Sequence, residues 1–374
     1  MRVAVISKTF VFDAAQRQLE LIASQPGMEL TLITPPEWHS DDGRVLPFVR
    51  RFTTGYTVRE LPVLFNGRYH FYVYRGLRQV LREFAPDLVH IDEEPYNPAA
   101  AQAQRAAERL GARTIFIALQ NLLRNYPPPY SLLEQYNYRH TAHIVACNDA
   151  AGKVLRQKGY RGPLSVFPVY GVDPALYVPE SRAQPRETFV VGYLGRLVMY
   201  KGLGVLIEAL AGLPARCQLR LVGSGPDEAA LRRLAQERGV AERVEFAPAV
   251  ATTEVPRVLA GMDVLALPSL TQPNWMEQFG RVLIEAMACG VPVVGSDSGE
   301  IPHVVGDAGI ITPEGNVDAL RAALARLYED PATWTRLAHA GRERVLAQYT
   351  QEQVARKMGA VYQQAMMVPQ GVAN

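Results

Sequence analysis

Short apolar runs alternate with amphipathic stretches along most of the chain. The runs are rich in Val, Ile and Leu, as buried parallel strands are, and the stretches between them have helical spacing. The predicted strands are Val3–Ile6, Leu30–Ile33, Leu88–Ile91, Thr114–Ala118, Ile144–Ala146, Leu164–Phe167, Val190–Leu194, Leu219–Val222, Val244–Phe246, Val264–Leu267, Val291–Val294 and Gly309–Ile311. Helices are predicted in the first half at Ala14–Ala23, Tyr72–Phe84, Ala99–Leu110 and Ala150–Lys158. This alternation predicts βαβ units and parallel sheets.

The strands fall into two successive series, which predicts two domains. The first domain is predicted over 1–172 and the second over 173–350, followed by a helical segment, 351–374. The Pro/Gly-rich stretch from Gly171 to Pro185 is typical of an interdomain linker, and the segment from Pro35 to Pro62 is predicted to be irregular. The predicted fold is α/β, with two tandem Rossmann-like doubly wound domains facing a central cleft. Ligands of such sheets bind at the carboxyl ends of the strands.

The composition excludes several classes of protein. The chain of 374 residues is 48% hydrophobic and 20% charged, as soluble globular proteins are. The three cysteines have neither CxxC nor His-rich spacing, so no zinc site or disulfide framework is predicted. The first residues are too short an apolar run for a signal peptide, and no run approaches a membrane span. We therefore expect a cytoplasmic protein, and nothing resembles a nucleic-acid-binding module.

The charge is distributed unevenly. Residues 1–170 carry 20 Lys and Arg against 15 Asp and Glu, whereas residues 171–374 carry 19 against 22. A basic first half favours an anionic membrane surface or an anionic acceptor, although ordinary surface variation accounts for it equally well. The expectation is a cytoplasmic protein with peripheral association at the inner face of the membrane. The oligomeric state is left open.

The most informative segment begins at Glu277. A loop is predicted to turn into a short helix near Gly280, Gly290 to stop that helix, and Val291–Val294 to form a buried strand. Glu285 lies in an apolar stretch of this helix, where a carboxylate is costly to desolvate unless something pairs with it. No Lys or Arg stands four residues after it, so its predicted partner is a distant residue or a ligand with hydroxyl donors.

Two further loops follow predicted strands and carry glycine. Gly195 permits a tight turn, and Arg196 and Lys201 bracket the loop that enters the next helix. A fork donor and a point charge beside a helix N-terminus suit a diphosphate. The Gly223-Ser-Gly225 turn after the next strand fits either a nucleotide contact or plain turn chemistry.

Glu277 and Glu285 are separated by seven residues, and a Phe-Gly pair follows shortly after the first glutamate. This signature resembles that of the retaining family-4 glycosyltransferases (group 1), which have the GT-B fold. The resemblance extends over nearly the whole chain and is strongest from Val190 to Asp307. It implies that the last helix, within 351–374, crosses back to the first domain.

The resemblance also implies roles for individual residues. Arg196 and Lys201 would bind the donor diphosphate and stabilise the charge on the leaving nucleoside diphosphate. Glu277 would contact hydroxyls of the transferred sugar, and Glu285 would accept hydrogen bonds from the ribose. The catalytic candidates are thus Arg196, Lys201 and Glu277, and the remaining donor-binding candidates are Gly195, Gly223, Gly225, Phe279, Gly280, Arg281 and Glu285.

The implied reaction is retaining transfer of a sugar from a nucleoside-diphosphate sugar to an acceptor hydroxyl. Neither Asp41-Asp42 nor the segment around Asp297 provides a DxD motif. No metal and no cofactor are therefore expected, because Arg196 and Lys201 supply the positive charge. In front-face attack the departing phosphate oxygen takes the acceptor proton. We expect Glu277 to orient and stabilise the sugar and not to attack it.

The first domain departs further from the family. Many relatives carry a Gly-Gly pair after the first strand, where this chain has Lys8 as either a phosphate or acceptor contact or a surface lysine. Glu93 and Glu94 follow a strand in what resembles the acceptor-side loop, with capping of the next helix as the alternative. Gln120, followed by Asn121, stands near a position where relatives carry a histidine. Because Gln cannot titrate, a histidine general base there is excluded. The acceptor is expected to be a sugar, a lipid-linked or a small-molecule hydroxyl compound.

Three other functions compete with this interpretation. A phosphorylase or a nucleotide-sugar synthase could use the same fold. A dinucleotide-dependent oxidoreductase is disfavoured because no first βα turn gives Gly-x-Gly-x-x-Gly. A non-catalytic nucleotide-sugar-binding subunit is conceivable because of the altered first-domain loops, whereas the complete set of Arg196, Lys201, Glu277 and Glu285 argues against it.

Overall fold

The fold is described from a computed structural model that covers residues 1–11, 13–40, 43–180 and 188–368. The Asp41-Asp42 pair, residues 181–187 of the predicted linker and residues 369–374 lie outside the described residues. The chain divides into two compact units. Unit 1 comprises Met1–Tyr170 and the C-terminal segment from Gln351 onward, and unit 2 comprises Gly171–Thr350.

The elements are numbered in chain order over the described residues. The strands are β1 (Arg2–Ile6), β2 (Glu29–Thr34), β3 (Glu37–His39), β4 (Val45–Pro47), β5 (Thr57–Glu60), β6 (Val63–Leu64), β7 (Val73–Tyr74), β8 (Leu88–Ile91), β9 (Arg113–Ala118), β10 (His143–Ala146), β11 (Leu164–Val166), β12 (Phe189–Leu194), β13 (Cys217–Val222), β14 (Val244–Ala247), β15 (Val264–Leu267), β16 (Val293–Ser296) and β17 (Ile310–Thr312). The helices are α1 (Asp13–Ala23), α2 (Leu77–Phe84), α3 (Pro98–Glu108), α4 (Tyr130–His140), α5 (Asp149–Gln157), α6 (Leu203–Ala211), α7 (Glu228–Glu237), α8 (Val255–Ala260), α9 (Arg281–Ala288), α10 (Ile301–Val305), α11 (Val317–Glu329), α12 (Pro331–Gln348) and α13 (Gln351–Met367).

Unit 1 is built on a parallel sheet with the strand order β11-β10-β9-β8-β1-β2-β5. From β1 the chain adds β2 and β5 on one side, and it then returns to add β8 to β11 on the other. The direction of strand addition therefore reverses between β1 and β8. In doubly wound sheets this switch point opens a crevice at the carboxyl ends of the two strands, where ligands bind.

Unit 2 repeats the design with a six-stranded parallel sheet in the order β14-β13-β12-β15-β16-β17. Here the reversal lies between β12 and β15. The predicted α/β fold with two tandem doubly wound sheets is confirmed. Continuous apolar strands form these sheets because helices cover both faces and leave no face for water.

The C-terminal helix α13 belongs to the core of unit 1. Met358, Val361 and Tyr362 are buried in one cluster with Leu19 and Ile22 of α1. Each such side chain contributes about 1.5–3 kcal/mol when it leaves water. The helix is therefore an integral layer of this unit. Among the helices that the structure describes, none combines the length and the apolar character needed to cross a membrane.

The prediction of a helix from Tyr72 to Phe84 is wrong at its start. Val73–Tyr74 forms β7, which pairs with β6, and the helix begins only at Leu77. Gly76 precedes it with φ 83°, a conformation that suits glycine and separates the strand from the helix. The apolar spacing of this stretch fits both structures over a few residues, which is why periodicity did not separate them.

Two other predictions need correction. The segment from Pro35 to Pro62 is not irregular throughout, because β3 and β4 form a hairpin and β5 completes the sheet edge. The strand predicted at Val291–Val294 begins two residues later, at Val293. Pro292 cannot donate a ladder hydrogen bond, which places it before the strand.

Candidate functional site

In unit 2, Glu277 lies where the loops that follow β12, β15 and β16 meet. Its Oε2 accepts hydrogen bonds from Lys201 Nζ at 2.7 Å and from Ser269 Oγ at 2.9 Å. Its backbone carbonyl accepts from the N–H of Glu300 at 3.1 Å. The side chains of Lys201 and Glu277 are 19% and 9% exposed, so the ion pair is shielded but reachable. Lys201 and Glu277 thus join the two loops that flank the switch point.

Arg196 lies on the loop after β12, and that loop is in backbone contact with the loop after β13. A Cβ atom on Gly223 would lie 1.9 Å from the Gly195 oxygen, and one on Gly225 would lie 2.1 Å from the Leu197 oxygen. Glycine is therefore required at both positions of the predicted GxG turn, whose packing fixes the arginine loop. The Arg196 side chain is exposed, and it makes no hydrogen bond or ion pair within the described ranges.

Glu285 is buried on α9 and has two protein partners. Its Oε1 accepts from Arg281 Nε at 2.9 Å and from the Tyr177 hydroxyl at 3.3 Å. Burial raises the pKa of Glu285, and the charge of Arg281 and the Tyr177 hydrogen bond oppose that rise. Tyr177 is a distant residue, as predicted, whereas the sequence argument missed Arg281, which stands one helical turn before Glu285. Ion pairs form at this spacing in either direction along a helix.

The start of α9 completes this edge of unit 2. Gly280 adopts φ 75° immediately before the helix and provides no side-chain cap. The Leu283 N–H donates to the Gly280 carbonyl at 2.8 Å, and the first turn of a helix is a favourable place for an anion. Phe279 is 3% exposed and lies 5.9 Å from the ring of Tyr349, so it anchors the loop in the core. The Lys201 ammonium lies over the Trp275 side chain, with Nζ 4.6 Å from the centroid of the ring.

Unit 1 has a second Lys–Glu pair in the corresponding position. Lys8 follows β1 and Glu93 follows β8, so this pair also joins the two loops beside a switch point. Lys8 Nζ lies 2.5 Å from Glu93 Oε2 and donates to the Tyr72 hydroxyl at 3.1 Å. It also lies near the rings of Trp38 and Tyr69. At 16% side-chain exposure Lys8 is not the surface lysine of the alternative interpretation.

The three carboxylates after β8 have different environments. The Ser7 hydroxyl donates to Asp92 Oδ2 at 2.6 Å, and burial raises the pKa of Asp92. Burial also raises the pKa of Glu93, against the opposing charge of Lys8. Glu94 accepts from the backbone N–H of Leu119 at 3.0 Å, and burial raises its pKa to about 7. Separate partners thus allow three successive acidic residues to share this loop.

Gln120 and Asn121 follow β9, beside the Glu94 contact. Lys158 Nζ donates to Gln120 Oε1 at 3.1 Å and to Glu134 Oε1 at 2.7 Å. Asn121 is 7% exposed. The acceptor-side candidates therefore line the carboxyl ends of β1, β8 and β9. The sequence pattern missed Glu134, which lies on α4, and Lys158, which follows α5, because no motif marks either residue.

The alternative role for the loop after β8, capping of the next helix, is met by its last residue, Asn97, and not by the side chain of Glu93 or Glu94. Helix α3 begins at Pro98, and the Asn97 side chain accepts from the N–H of Ala99 at 3.0 Å. Asparagine before proline is a standard helix start. Within the described part of the chain, no group of three or more His, Cys, Asp or Glu side chains could hold a metal ion.

The raised pKa of Glu94 gives a testable pH dependence. Between its ordinary value of 4.5 and about 7, the folded protein keeps a proton that the unfolded chain has released. The free energy of unfolding therefore falls as pH rises through this window. We expect wild type to lose up to about 3 kcal/mol more than Glu94→Gln across it, measured by urea denaturation. Parallel curves for the two proteins would contradict this assignment, since all other carboxyl groups are common to both.

Two family models match the chain and together span most of it. The model described as "Glycosyl transferases group 1" matches residues 178–344, and the "Glycosyl transferase 4-like domain" matches residues 14–169. The chain belongs to the group 1 glycosyl transferases. The family resemblance inferred from the glutamate spacing is thereby confirmed.

Two relatives illustrate the range of this family. A protein of Mycolicibacterium smegmatis, named GDP-mannose-dependent alpha-(1-6)-phosphatidylinositol monomannoside mannosyltransferase, is 38% identical over 187 residues. That match covers 46% of this chain and 49% of the relative, so the chain spans about half the relative's length. WcaL of Salmonella typhimurium, a putative colanic acid biosynthesis glycosyltransferase, is 29% identical over 76% of this chain and 72% of that protein.

The fold also matches solved structures. The crystal structure of Anabaena Alr3699/HepE in complex with UDP has a TM-score of 0.75, with 97% of this chain and all of that chain covered. The sequence identity is 20%, so this similarity shows the fold alone. It confirms the GT-B type of fold.

Proposed function

We propose that this group 1 glycosyl transferase moves a sugar from a nucleoside-diphosphate sugar to an acceptor hydroxyl, with retention of configuration and without a metal ion. One observation carries the proposal. The Lys201–Glu277 ion pair lies at the carboxyl edge of unit 2, beside its switch point, with the exposed Arg196 on the same loop as Lys201. A cationic loop next to a shielded carboxylate suits a ligand that has a diphosphate at one end and hydroxyls at the other.

The diphosphate is assigned to Arg196 and Lys201. Arg196 offers a planar fork of donors, and its guanidinium is exposed. The Lys201 ammonium has three donors, of which Glu277 takes one, so phosphate oxygens can accept from the others. The start of α9 adds the positive end of a helix dipole. These groups would stabilise the charge that develops on the leaving nucleoside diphosphate.

The two glutamates are assigned to the sugar and the ribose. Glu277 accepts hydroxyl hydrogen bonds from the transferred sugar and offsets the positive charge of an oxocarbenium-like transition state. Glu285, held by Arg281 and Tyr177, accepts from the ribose hydroxyls. In front-face attack the bond from the anomeric carbon to phosphate breaks and the acceptor oxygen bonds on the same face. Its proton passes to the departing phosphate oxygen, so no protein nucleophile takes part.

The substrates are proposed at two levels. The donor is a nucleoside-diphosphate sugar, and GDP-mannose is the first to test because the curated mannosyltransferase relatives are named as dependent on it. The acceptor is assigned to unit 1, beside Lys8, Glu93, Glu94, Gln120 and Asn121. The acceptor is a sugar, a lipid-linked compound or a small molecule with a hydroxyl group, and a transfer assay with one compound of each class would distinguish these possibilities. The proposal includes peripheral association of the protein with the inner face of a membrane.

A turnover assay with a panel of GDP-, UDP- and ADP-sugars tests the proposal. We expect nucleoside diphosphate release from one donor, slow by transfer to water and faster with an acceptor. Turnover driven by inorganic phosphate or by a free sugar would indicate a phosphorylase or a synthase instead. Binding of a donor without release of the nucleoside diphosphate, whichever acceptor is added, would indicate a non-catalytic subunit. Binding of no nucleotide sugar would overturn the proposal.

A further inference from the structure

Unit 1 exposes a cluster of large apolar side chains in one short segment. We call residues 64–71, which join β6 to β7, the aromatic turn. Its exposed members are Leu64, Phe65, Tyr69 and Phe71, at 48%, 53%, 38% and 46%. The rings of Phe65 and Phe71 lie 5.1 Å apart, so they form one patch. Contiguous exposed apolar patches of this kind mark interaction surfaces.

The aromatic turn is held from its inner side. The Asn66 side chain accepts from the N–H of His39 at 3.0 Å and donates to the carbonyl of Glu37 at 3.0 Å. A Cβ atom on Gly67 would lie 3.0 Å from His39 Cβ, so the turn lies directly on β3. Phe65 adopts φ 62°, which is rare for an aromatic residue. The turn thus combines an unfavourable backbone conformation with two exposed phenyl rings.

Arginines are concentrated in the stretch of chain that contains this patch, between the exposed Glu60 and Glu83. From Leu61 to Arg82 the chain has four arginines and no Asp or Glu, in a protein whose net charge is +2. The four arginines, Arg68, Arg75, Arg78 and Arg82, are all exposed. Arg68 lies inside the turn, since its N–H donates to the Phe65 carbonyl and its carbonyl accepts from Phe71. Exposed aromatic rings bordered by arginine suit the interface of an anionic bilayer.

We propose that the aromatic turn docks unit 1 on an anionic lipid bilayer. Phe65, Phe71 and Leu64 enter the boundary between head groups and acyl chains, and the arginines contact lipid phosphates. A second copy of this chain fits the surface less well. A two-fold interface through the turn would bring the arginines of both copies together with no carboxylate from the same stretch to pair them.

The turn also lies beside the acceptor-side residues. The Tyr69 ring lies 5.7 Å from Lys8 Nζ and 5.4 Å from the Trp38 ring. A docked turn therefore places the Lys8–Glu93 pair near the membrane surface. This consequence rests on the proposed function, because a lipid-linked acceptor could then present its hydroxyls to Lys8 and Glu93 without leaving the bilayer.

Sedimentation with vesicles tests the docking. The vesicles contain phosphatidylcholine alone or mixed with phosphatidylglycerol, and the protein is the full chain. We expect binding to the mixed vesicles and a loss of at least about tenfold in partitioning for Phe65→Ser/Phe71→Ser. The matched control is Val166→Ser/Leu346→Ser, which removes two other exposed apolar side chains, at 42% and 41%, and is expected to bind as wild type.

The charge contribution is measured in the same assay. Arg68→Gln is expected to weaken binding to the mixed vesicles by about fivefold and to leave the weak binding to phosphatidylcholine unchanged. Added salt should weaken wild-type binding in the same direction, because it screens the arginines. Equal binding to both kinds of vesicle would contradict the role of the arginines and overturn the commitment to an anionic surface.

Two other outcomes would overturn the docking. One is the absence of vesicle binding by wild type, or full binding by Phe65→Ser/Phe71→Ser. The other is a wild-type dimer in light scattering that this variant converts to monomer, which would assign the turn to a second copy. Donor turnover in the absence of vesicles, measured in parallel, separates the two proposals. Turnover without vesicle binding would overturn the docking and the peripheral membrane association, and it would leave the proposed transfer reaction standing. Vesicle binding without turnover would overturn only the proposed transfer reaction.

Discussion

Replacing Arg196 with alanine is expected to lower kcat/KM for the donor by about 10²- to 10³-fold, which corresponds to about 3–4 kcal/mol of transition-state stabilisation. The guanidinium is exposed and has no hydrogen bond or ion pair to lose among the described residues. The free energy of unfolding of the Arg196→Ala protein should therefore stay within about 0.5 kcal/mol of the wild-type value. Steady-state kinetics together with urea denaturation would measure both quantities.

Two further variants sharpen this expectation. Arg196→Lys keeps the charge but loses the planar fork, so about a tenth or less of the activity should remain. Arg257→Ala removes an arginine with an 80% exposed side chain from α8 of the same unit, and it should leave kcat/KM unchanged. Wild-type activity in Arg196→Ala, or an equal loss in Arg257→Ala, would contradict the assignment of the diphosphate to this loop.

Replacing Glu277 with glutamine is expected to lower kcat by about 10²-fold or more. Glutamine has the same shape and can still accept from Lys201 and Ser269 through its amide oxygen, so the loop should keep its structure. The variant lacks the negative charge that faces the reacting sugar. Affinity for the free nucleoside diphosphate should change by less than about threefold, because that ligand carries no transferred sugar.

The control for this variant is Glu245→Gln on β14, which neutralises an exposed glutamate paired with Arg220. It should have wild-type kinetics. Mass spectrometry of wild type with a slow fluorinated donor would detect a glycosyl-enzyme. We expect none, because Glu277 orients the sugar and does not attack it. A covalent sugar on Glu277 would contradict the front-face proposal, and wild-type kcat in Glu277→Gln would contradict any role in the reaction.

The fold could be predicted from the sequence largely because its strands are buried on both faces. A run such as Leu88–Ile91 is buried at every position, and it matches β8 residue for residue. The edge strand Thr57–Glu60 could not be found in this way, since three of its four residues are exposed and polar. The start of α2 was missed for a different reason. Tyr72 and Tyr74 are buried by tertiary packing, which local periodicity does not report.

The candidate site was predicted unequally in the two units. In unit 2 the chemistry is concentrated in short motifs, so Arg196, Lys201, Glu277 and Glu285 could be identified from spacing and family resemblance. Ser269 and Tyr177 were not predicted, because no sequence motif marks a single hydroxyl side chain after a strand or in a loop. In unit 1 the residues were proposed singly.

The pairing of Lys8 with Glu93 became visible only through the sheet order. These two residues are 85 positions apart, and they meet because β1 and β8 are neighbours at the switch point. The ion pair in unit 2 arises in the same way from β12 and β15. Sequence spacing cannot reveal such pairs, because strand order is decided by packing of the whole sheet.

The central claim is that the loop after β12 binds the donor diphosphate. Calorimetric titration of GDP into wild type and Arg196→Ala tests it most directly, because it requires neither the acceptor nor turnover. We expect binding by wild type and a loss of at least about tenfold in affinity for the variant, as removal of a charge-assisted fork implies. Equal affinities for the two proteins, with both folded, would contradict the claim.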